Sequence, residues 1–262
     1  MSTYVMGDIH GCYDELVQMM KVIDFKDSDR LILVGDYIDR GRQNYEMLQF
    51  IGNCPENILL LRGNHEEEFI AYVELMQAVD KADRMTADYC LSGDTMVLYD
   101  KVRYRFGNDK KGMFGRYFDV YETIKNLIEN NGVVMKDLIS WANLMKQMPY
   151  WTRLECNGKK IVVTHAGYWE DLPEKDLEHF CLYAREEGIK SGGIENGIVI
   201  SGHTPTILED EYAYTGGRVF RHENKAGKCV FYNIDCGCVF RDMYPSARLA
   251  CIRIEDEEVF YV

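Results

Sequence analysis

Short apolar runs that stop at glycine punctuate the first third of the chain. Residues 4–6 lead into Gly7-Asp8, residues 31–34 into Gly35-Asp36, and residues 58–61 into Arg62-Gly63-Asn64-His65. Runs of this length without polar alternation read as strands buried on both faces. Between the first two, Tyr13, Leu16, Val17, Met20 and Ile23 fall at helical spacing, and residues 43–53 carry a second helical pattern. Alternating strands and helices predict a parallel sheet with crossover helices. Functional groups in such a sheet collect beyond the carboxyl ends of its strands.

The middle of the chain has a different period. No proline occurs between Pro55 and Pro149. Phe69, Tyr72, Val73, Met76 and Val79 form one helical stripe, and Leu138, Trp141, Ala142, Met145 and Met148 another. Stripes of this kind are core faces, so residues from about 66 to 148 read as a mostly helical insertion. Strand patterns return at residues 151–156, 160–164, 197–201, 228–234 and 248–254. Asn157-Gly158 is a hairpin signal between the first two of these. Residues 174–188 read as a helix ending at Gly188. Without an internal repeat or low-complexity linker, residues 1–262 are expected to form one α/β domain.

Composition narrows the possibilities. Apolar residues make up 47% of the chain, enough for a sizeable core, and the net charge is -13. Such a surface repels nucleic-acid backbones and anionic membranes, so neither is an expected partner. The nine cysteines are odd in number and include no Cys-x-x-Cys pair. Reduced thiols in a cytoplasmic protein are the expectation. The chain opens without a basic segment followed by an apolar one, and its apolar runs are too short to span a bilayer.

The candidate chemistry lies in the turns. Four of the six histidines follow strand patterns in glycine-flanked turns: Gly7-Asp8-Ile9-His10-Gly11, Gly63-Asn64-His65-Glu66, Thr164-His165-Ala166-Gly167 and Ser201-Gly202-His203-Thr204. A fifth turn, residues 35–41, brings Asp36, Asp39 and Arg40. Glycine allows such turns to crowd around one point. Asp, Asn and His are ligands that Mn²⁺, Fe and Zn²⁺ accept. One such turn is weak evidence; five at successive strand ends point to a metal centre.

This ordered set, GDIHG, GDYIDRG, RGNHE, THAG and SGHT, resembles the calcineurin-like metallophosphoesterases, and within them the phosphoprotein phosphatases with their bacterial and phage members. The motifs span residues 7–204, and residues 182–186 and 232–237 resemble the bacterial branch. The resemblance implies a β-sandwich flanked by helices in α/β/β/α layers, with two divalent metals at the strand ends. Manganese is the first candidate, with iron or zinc as alternatives. Asp8, His10 and Asp36 would hold one ion; Asp36, Asn64, His165 and His203 the other. Two carboxylates and a hydroxide leave such a pair with net positive charge, which offsets the acidity of the chain where phosphate binds.

The same resemblance implies direct attack by a metal-activated hydroxide, with no covalent intermediate. His65 would protonate the leaving group while Asp39 holds its imidazole. Arg40, Arg62 and Arg185 would clamp the phosphate, Arg185 being the weakest of the three because a helix surface readily carries an arginine. Glu66 reads as a capping or supporting residue. Asp235, His179 and His222 read as structural or solvated, and Cys236 and Cys238 as core-facing. The cationic stretch from Asp100 to Arg116 reads as a solvated helix and loop, or as a basic wall beside the cleft. The expected substrate is a phosphoprotein or small phosphoester, with phosphoserine or phosphothreonine first. The alternative is symmetrical hydrolysis of diadenosine tetraphosphate. Enzymes of that kind usually carry alanine where Asp39 stands, so Asp39 favours the phosphatase. A metal-binding scaffold without activity would show a damaged ligand turn, and none is visible.

Overall fold

Val5 and Ile32 face one way from their strands while Tyr4, Met6, Leu31 and Leu33 face the other, and both sets are buried. Continuous apolar runs were the sign of this two-sided burial. The computed structural model describes residues 1–85, 95–106, 118–185, 188, 192–208, 215–224 and 229–262, with the side chains of 82–85, 103–106 and 118 outside that description. The elements run β1 (Thr3–Met6), α1 (Tyr13–Val22), β2 (Arg30–Leu33), α2 (Asn44–Gly52), β3 (Ile58–Leu60) and α3 (Asn64–Met85). Helices α4 (Thr95–Phe106), α5 (Phe118–Asn131) and α6 (Met135–Met145) follow. The chain then continues with β4 (Trp151–Cys156), β5 (Lys159–Thr164), α7 (Glu174–Tyr183), β6 (Gly197–Ser201), β7 (Phe220–Asn224), β8 (Cys229–Asn233), β9 (Ala250–Arg253) and β10 (Glu258–Tyr261).

The strands form two five-stranded sheets, in the orders β10-β9-β1-β2-β3 and β4-β5-β6-β8-β7. Strands β1, β2 and β3 run parallel, as do β5, β6 and β8; β9, β10, β4 and β7 pair antiparallel with their neighbours. Val5, Ile32 and Ile252 of the first sheet pack on Ile161, Val163, Ile198 and Ile200 of the second, which makes the middle of a sandwich. The opposite face of the first sheet packs on α1, α2 and α3. Val162, Val199 and Phe231 of the second pack on Leu177 and Cys181 of α7. The layers are therefore α/β/β/α, the metallophosphoesterase arrangement that the motifs implied.

The helical stripes lie inside. Phe69, Tyr72, Val73 and Met76 of α3 share a core cluster with Leu138, Ala142 and Met145 of α6. Tyr99 and Tyr121 bring α4 and α5 together with ring centroids 4.8 Å apart. Among the described residues, no helix is long and apolar enough to cross a membrane. Lys110, Lys111 and Arg116, the core of the basic stretch, lie outside the described residues.

Three elements differ from the sequence expectation. His222, read in a polar loop, sits in the middle of β7, whose alternate residues are exposed because it is an edge strand. The last strand, β10, lies beyond the final strand pattern expected at 248–254; a tight turn at residues 254–257 divides it from β9, with Glu257 at φ 58°. Helix α7 stops at Tyr183 rather than Gly188. Ala184 is extended, and the Cys181 carbonyl accepts from the Ala166 amide of the His165 turn at 2.7 Å. One of the last carbonyls of the helix is thus tied to a strand-end turn. In consequence Arg185 leaves the helix and is not a helix-surface cation.

Candidate metal centre

Glycine was expected to supply the unusual backbone angles of the strand-end turns. Gly11 (φ 64°) and Gly35 (112°) do so, and functional residues adopt them as well. His10 (φ 46°), Asp36 (53°), Asp39 (74°), Arg40 (65°) and His203 (73°) all lie in the left-handed region. Each such non-glycine residue costs on the order of 1–3 kcal/mol and persists only where its surroundings over-determine it. The hydrogen bonds do so here. The Ile9 and His10 amides both donate to the Asp36 carbonyl, at 3.1 and 2.9 Å. The Glu66 carboxylate, fully buried, accepts from the amides of Asp36 (2.8 Å), Tyr37 (2.8 Å) and Gly63 (2.9 Å). Glu66 thereby locks the second turn to the third. Glycine at 63 and 202 has another purpose, close approach: a Cβ would collide with Asp36 Oδ1 at the first and Asp8 Oδ1 at the second.

Two groups of ligand atoms share Asp36. One joins His10, Asp36 and His65; the other joins Asp36, His165 and His203. Asp36 Oδ2 lies 3.5 Å from His10 Nε2, and Oδ1 lies 3.4 Å from His165 Nε2. Backbone carbonyls orient the rings. His10 Nδ1 is 2.8 Å from the Ile38 carbonyl and His165 Nδ1 is 3.2 Å from that of Val34, so each donates there and turns an Nε2 lone pair inward.

In the second group, Asn64 Oδ1, His165 Nε2 and His203 Nδ1 lie 2.9–3.1 Å from one another. Three convergent acceptors repel unless a cation or a proton stands among them. Burial pulls His165 and His203 below the usual histidine range, so both imidazoles are held neutral and each has a ring nitrogen to offer as a ligand. The donor set therefore fits a divalent ion that takes imidazole and oxygen ligands.

Asp8 was expected with His10 and Asp36. Its Oδ2 accepts from the His203 amide at 3.0 Å, tying the first turn to the last, while its Oδ1 is buried with no hydrogen-bond partner. Burial, then the charges of Asp235 and Asp36, push the Asp8 carboxyl well up. Three carboxylates gathered in one buried place call for positive charge. Asp235 also accepts from the Gly237 amide at 2.9 Å, and burial raises it to about 7.

His65 is paired to Asp39, with Nδ1 2.6 Å from Oδ2. Its Nε2 is 2.9 Å from Nη2 of Arg40, whose Nη1 is 3.0 Å from His10 Nε2. The guanidinium thus occupies the first group, held from outside by Asp119 at 3.0 Å. Burial lowers His65, but Asp36 and the Asp39 hydrogen bond outweigh it and raise the group to about 9. A proton and Arg40 therefore compete for one lone pair.

The other two arginines separate. Arg62 departs from the expected clamp. Its Nε donates to the Met145 carbonyl, Nη2 to that of Lys146, and Nη1 to Tyr150 and Glu67. Four donor contacts are already used in joining α3, α6 and β4, so Arg62 is spent on the fold. Arg185 donates to Thr204 Oγ1 at 3.1 Å and lines a cleft of about 780 Å³ beside Asn64 and His203.

Sequence reasoning missed most of that cleft. Glu67, Glu68, Glu178 and Tyr150 line it, with His179 and Tyr183 of α7, whose rings lie 4.8 Å apart. His179, read as structural or solvated, stands here. The signal available was the spacing of His179 and Tyr183, four apart on one helix face. Glu68 carries a buried oxygen without a hydrogen-bond partner, and burial lifts its carboxyl to about 7.

A family model described as calcineurin-like phosphoesterase matches residues 1–217. A symmetrical bis(5'-nucleosyl)-tetraphosphatase of Buchnera aphidicola subsp. Baizongia pistaciae is 38% identical over 289 aligned positions, covering 99% of this chain and 97% of that one. The protein of the same name from Enterobacter sp. (strain 638) is 38% identical over 87 positions, 33% of this chain and 31% of its own length. A crystal structure provisionally named a diadenosine tetraphosphatase has a TM-score of 0.53 at 15% identity, covering 99% of this chain and 92% of that one. At that identity the likeness is one of fold.

Proposed function

The chain belongs to the calcineurin-like phosphoesterases, and from that premise we propose that it hydrolyses dinucleoside tetraphosphates symmetrically, releasing two nucleoside diphosphates. The observation that carries the reading is the 780 Å³ cleft that opens on Asn64 and His203. A phosphoryl group alone needs little of that space. Tyr150, His179 and Tyr183 offer ring faces to a base, and the Glu67, Glu68 and Glu178 carboxylates offer acceptors to exocyclic amines. The relative that matches along nearly its whole length bears the tetraphosphatase name. This reverses the order suggested by Asp39 alone.

Asp8, His10 and Asp36, with Asn64, His165 and His203, would hold the two ions. When bound, these supply Lewis acidity toward phosphoryl oxygens and make water a competent nucleophile near neutral pH. Arg40 and Arg185 bind the phosphate oxygens that approach this centre. As Arg40 turns to the substrate it releases His65 Nε2, which can then carry a proton toward the leaving oxygen. Asp39 keeps the other nitrogen protonated and the ring oriented. Residues 1–262 act as one domain, with the helices between about 66 and 148 as an insertion that contributes Glu67 and Glu68 to the cleft.

A second reading, hydrolysis of phosphoserine or phosphothreonine, is favoured by the 2.6 Å His65–Asp39 pair. An alkoxide leaves poorly and needs a proton; a nucleoside diphosphate leaves easily and needs it less. The test is a side-by-side assay of diadenosine tetraphosphate and phosphopeptides with added Mn²⁺, products separated by chromatography. Nucleoside diphosphate as sole product, at the higher kcat/KM, is the expected result. Triphosphate plus monophosphate would overturn the symmetry, and faster phosphopeptide turnover would promote the second reading.

A further inference from the structure

Eight cysteines are free among the described residues, and two of them face each other just behind the His10 turn. The sulfurs of Cys12 and Cys238 and a Glu15 carboxylate oxygen all lie within 4.8 Å of one another. Cys12 is half-buried while Cys238 is only 3% exposed. One sulfur is thus reachable from solvent, and the other waits behind it.

Their positions in the chain matter as much as their contact. Cys12 Sγ also donates to the His10 carbonyl at 3.7 Å, so it is part of the turn that carries His10. Cys238 opens a short 3-10 helix whose last residue, Phe240, lies under the Arg40 guanidinium at 5.9 Å from the ring centroid. The pair therefore joins the base of one candidate ligand to the seat of a candidate phosphate clamp. A divalent metal is a poorer occupant of this cluster, because Glu15 already has a cation, Arg241, as its ion-pair partner.

We propose that Cys12 and Cys238 form a peroxide-sensitive thiol pair whose disulfide cross-links the His10 turn to the loop beneath Arg40 and slows the enzyme. The Cys12 sulfur, its proton given to solvent, attacks the peroxide O–O bond; a sulfenic acid forms and the second oxygen leaves as water once protonated. The Cys238 sulfur then attacks the Cys12 sulfur, an S–S bond replaces the S–O bond, and hydroxide departs with the Cys238 proton as a second water. Two thiols are oxidised and one peroxide is reduced to two waters. Thiol contact is wider than an S–S bond of about 2.0 Å, so closure draws the two turns together. Displacing the supports of a metal ligand typically costs about 10- to 100-fold in affinity or activity.

The experiment treats the Mn²⁺-loaded protein with hydrogen peroxide, alkylates the remaining thiols, and maps the peptides by mass spectrometry. The expected product is a Cys12–Cys238 cross-linked peptide pair lighter by two hydrogens, with activity down about tenfold and recovered by dithiothreitol. Cys12→Ser and Cys238→Ser should each lack the link and keep their activity under peroxide. Full alkylation of both thiols after peroxide would overturn the proposal. So would Cys12 trapped only as sulfinic acid, a link to Cys236 instead, or equal inactivation of both serine variants. The cross-link is read from mass and does not depend on which phosphoester is the substrate.

Discussion

The two halves of the candidate metal centre are built from similar residues but stand in different states. In the half made by Asn64, His165 and His203, three candidate ligand atoms converge within 3.1 Å of one another. In the half around Asp8, His10 and Asp36, Arg40 reaches in as a donor, at 3.0 Å to His10 and 2.9 Å to the neighbouring His65. One half is thus gathered for a cation by its own frame, while in the other an arginine side chain stands where a cation would. Arg40 can leave because it hangs from the edge, paired with a half-exposed Asp119. Asn64 and His165 cannot rearrange so easily, being buried at a helix start and a strand end. Affinity for the two ions should therefore be unequal, with the Asn64 half filled first.

The largest effect should come from the group both halves share. Asp36→Asn removes the shared charge, and metal affinity should fall at least about 100-fold at both positions, read by elemental analysis after dialysis, with turnover lost in parallel. Loss of only one ion would show that Asp36 does not serve both halves. His65→Asn should keep both ions, yet lower kcat by about 10²–10⁴-fold on an alkyl phosphate and less on a dinucleoside tetraphosphate. Equal losses on good and poor leaving groups would remove His65 as the proton donor.

Arg40→Ala sharpens the contrast between the halves. It should raise KM by about 10- to 100-fold, the worth of a charge-assisted hydrogen bond, and tighten the ion bound at His10 without changing the one at Asn64. Metal titration of the variant beside the parent checks this. The smallest effect on catalysis is expected of Arg62→Ala. Its donors serve Met145, Lys146, Tyr150 and Glu67, so stability should drop by about 1–3 kcal/mol in a denaturant titration while KM stays within about twofold. A KM rise matching that of Arg40→Ala would return Arg62 to the phosphate clamp.

The cleft and the metal turns differ in how much of them could be read from the sequence. The turns announce themselves because each is short, glycine-flanked and follows an apolar run. The cleft does not, since Glu67 of α3, Tyr150 ahead of β4 and Glu178 of α7 come from separate elements with ordinary local patterns. Glu66 lies between the two cases. Its place beside His65 suggested support, but its three amide partners come from two turns about 30 residues apart in the chain.

Which donors stand at strand ends, and in what order, was legible in the chain, because strands buried on both faces are apolar runs and the sharp turns after them carry glycine. The sequence also determined the layered fold, since alternation of strand and helix leaves few ways to bury both faces of a sheet. Only the tertiary structure decided which side chains were still free to act. Arg62 is consumed by carbonyls more than 80 residues away, Arg185 is released by a helix that ends early, and Cys12 meets Cys238 across 226 positions. A hydrogen-bond donor serves one partner at a time, and those partners are set by packing between distant segments rather than by local pattern.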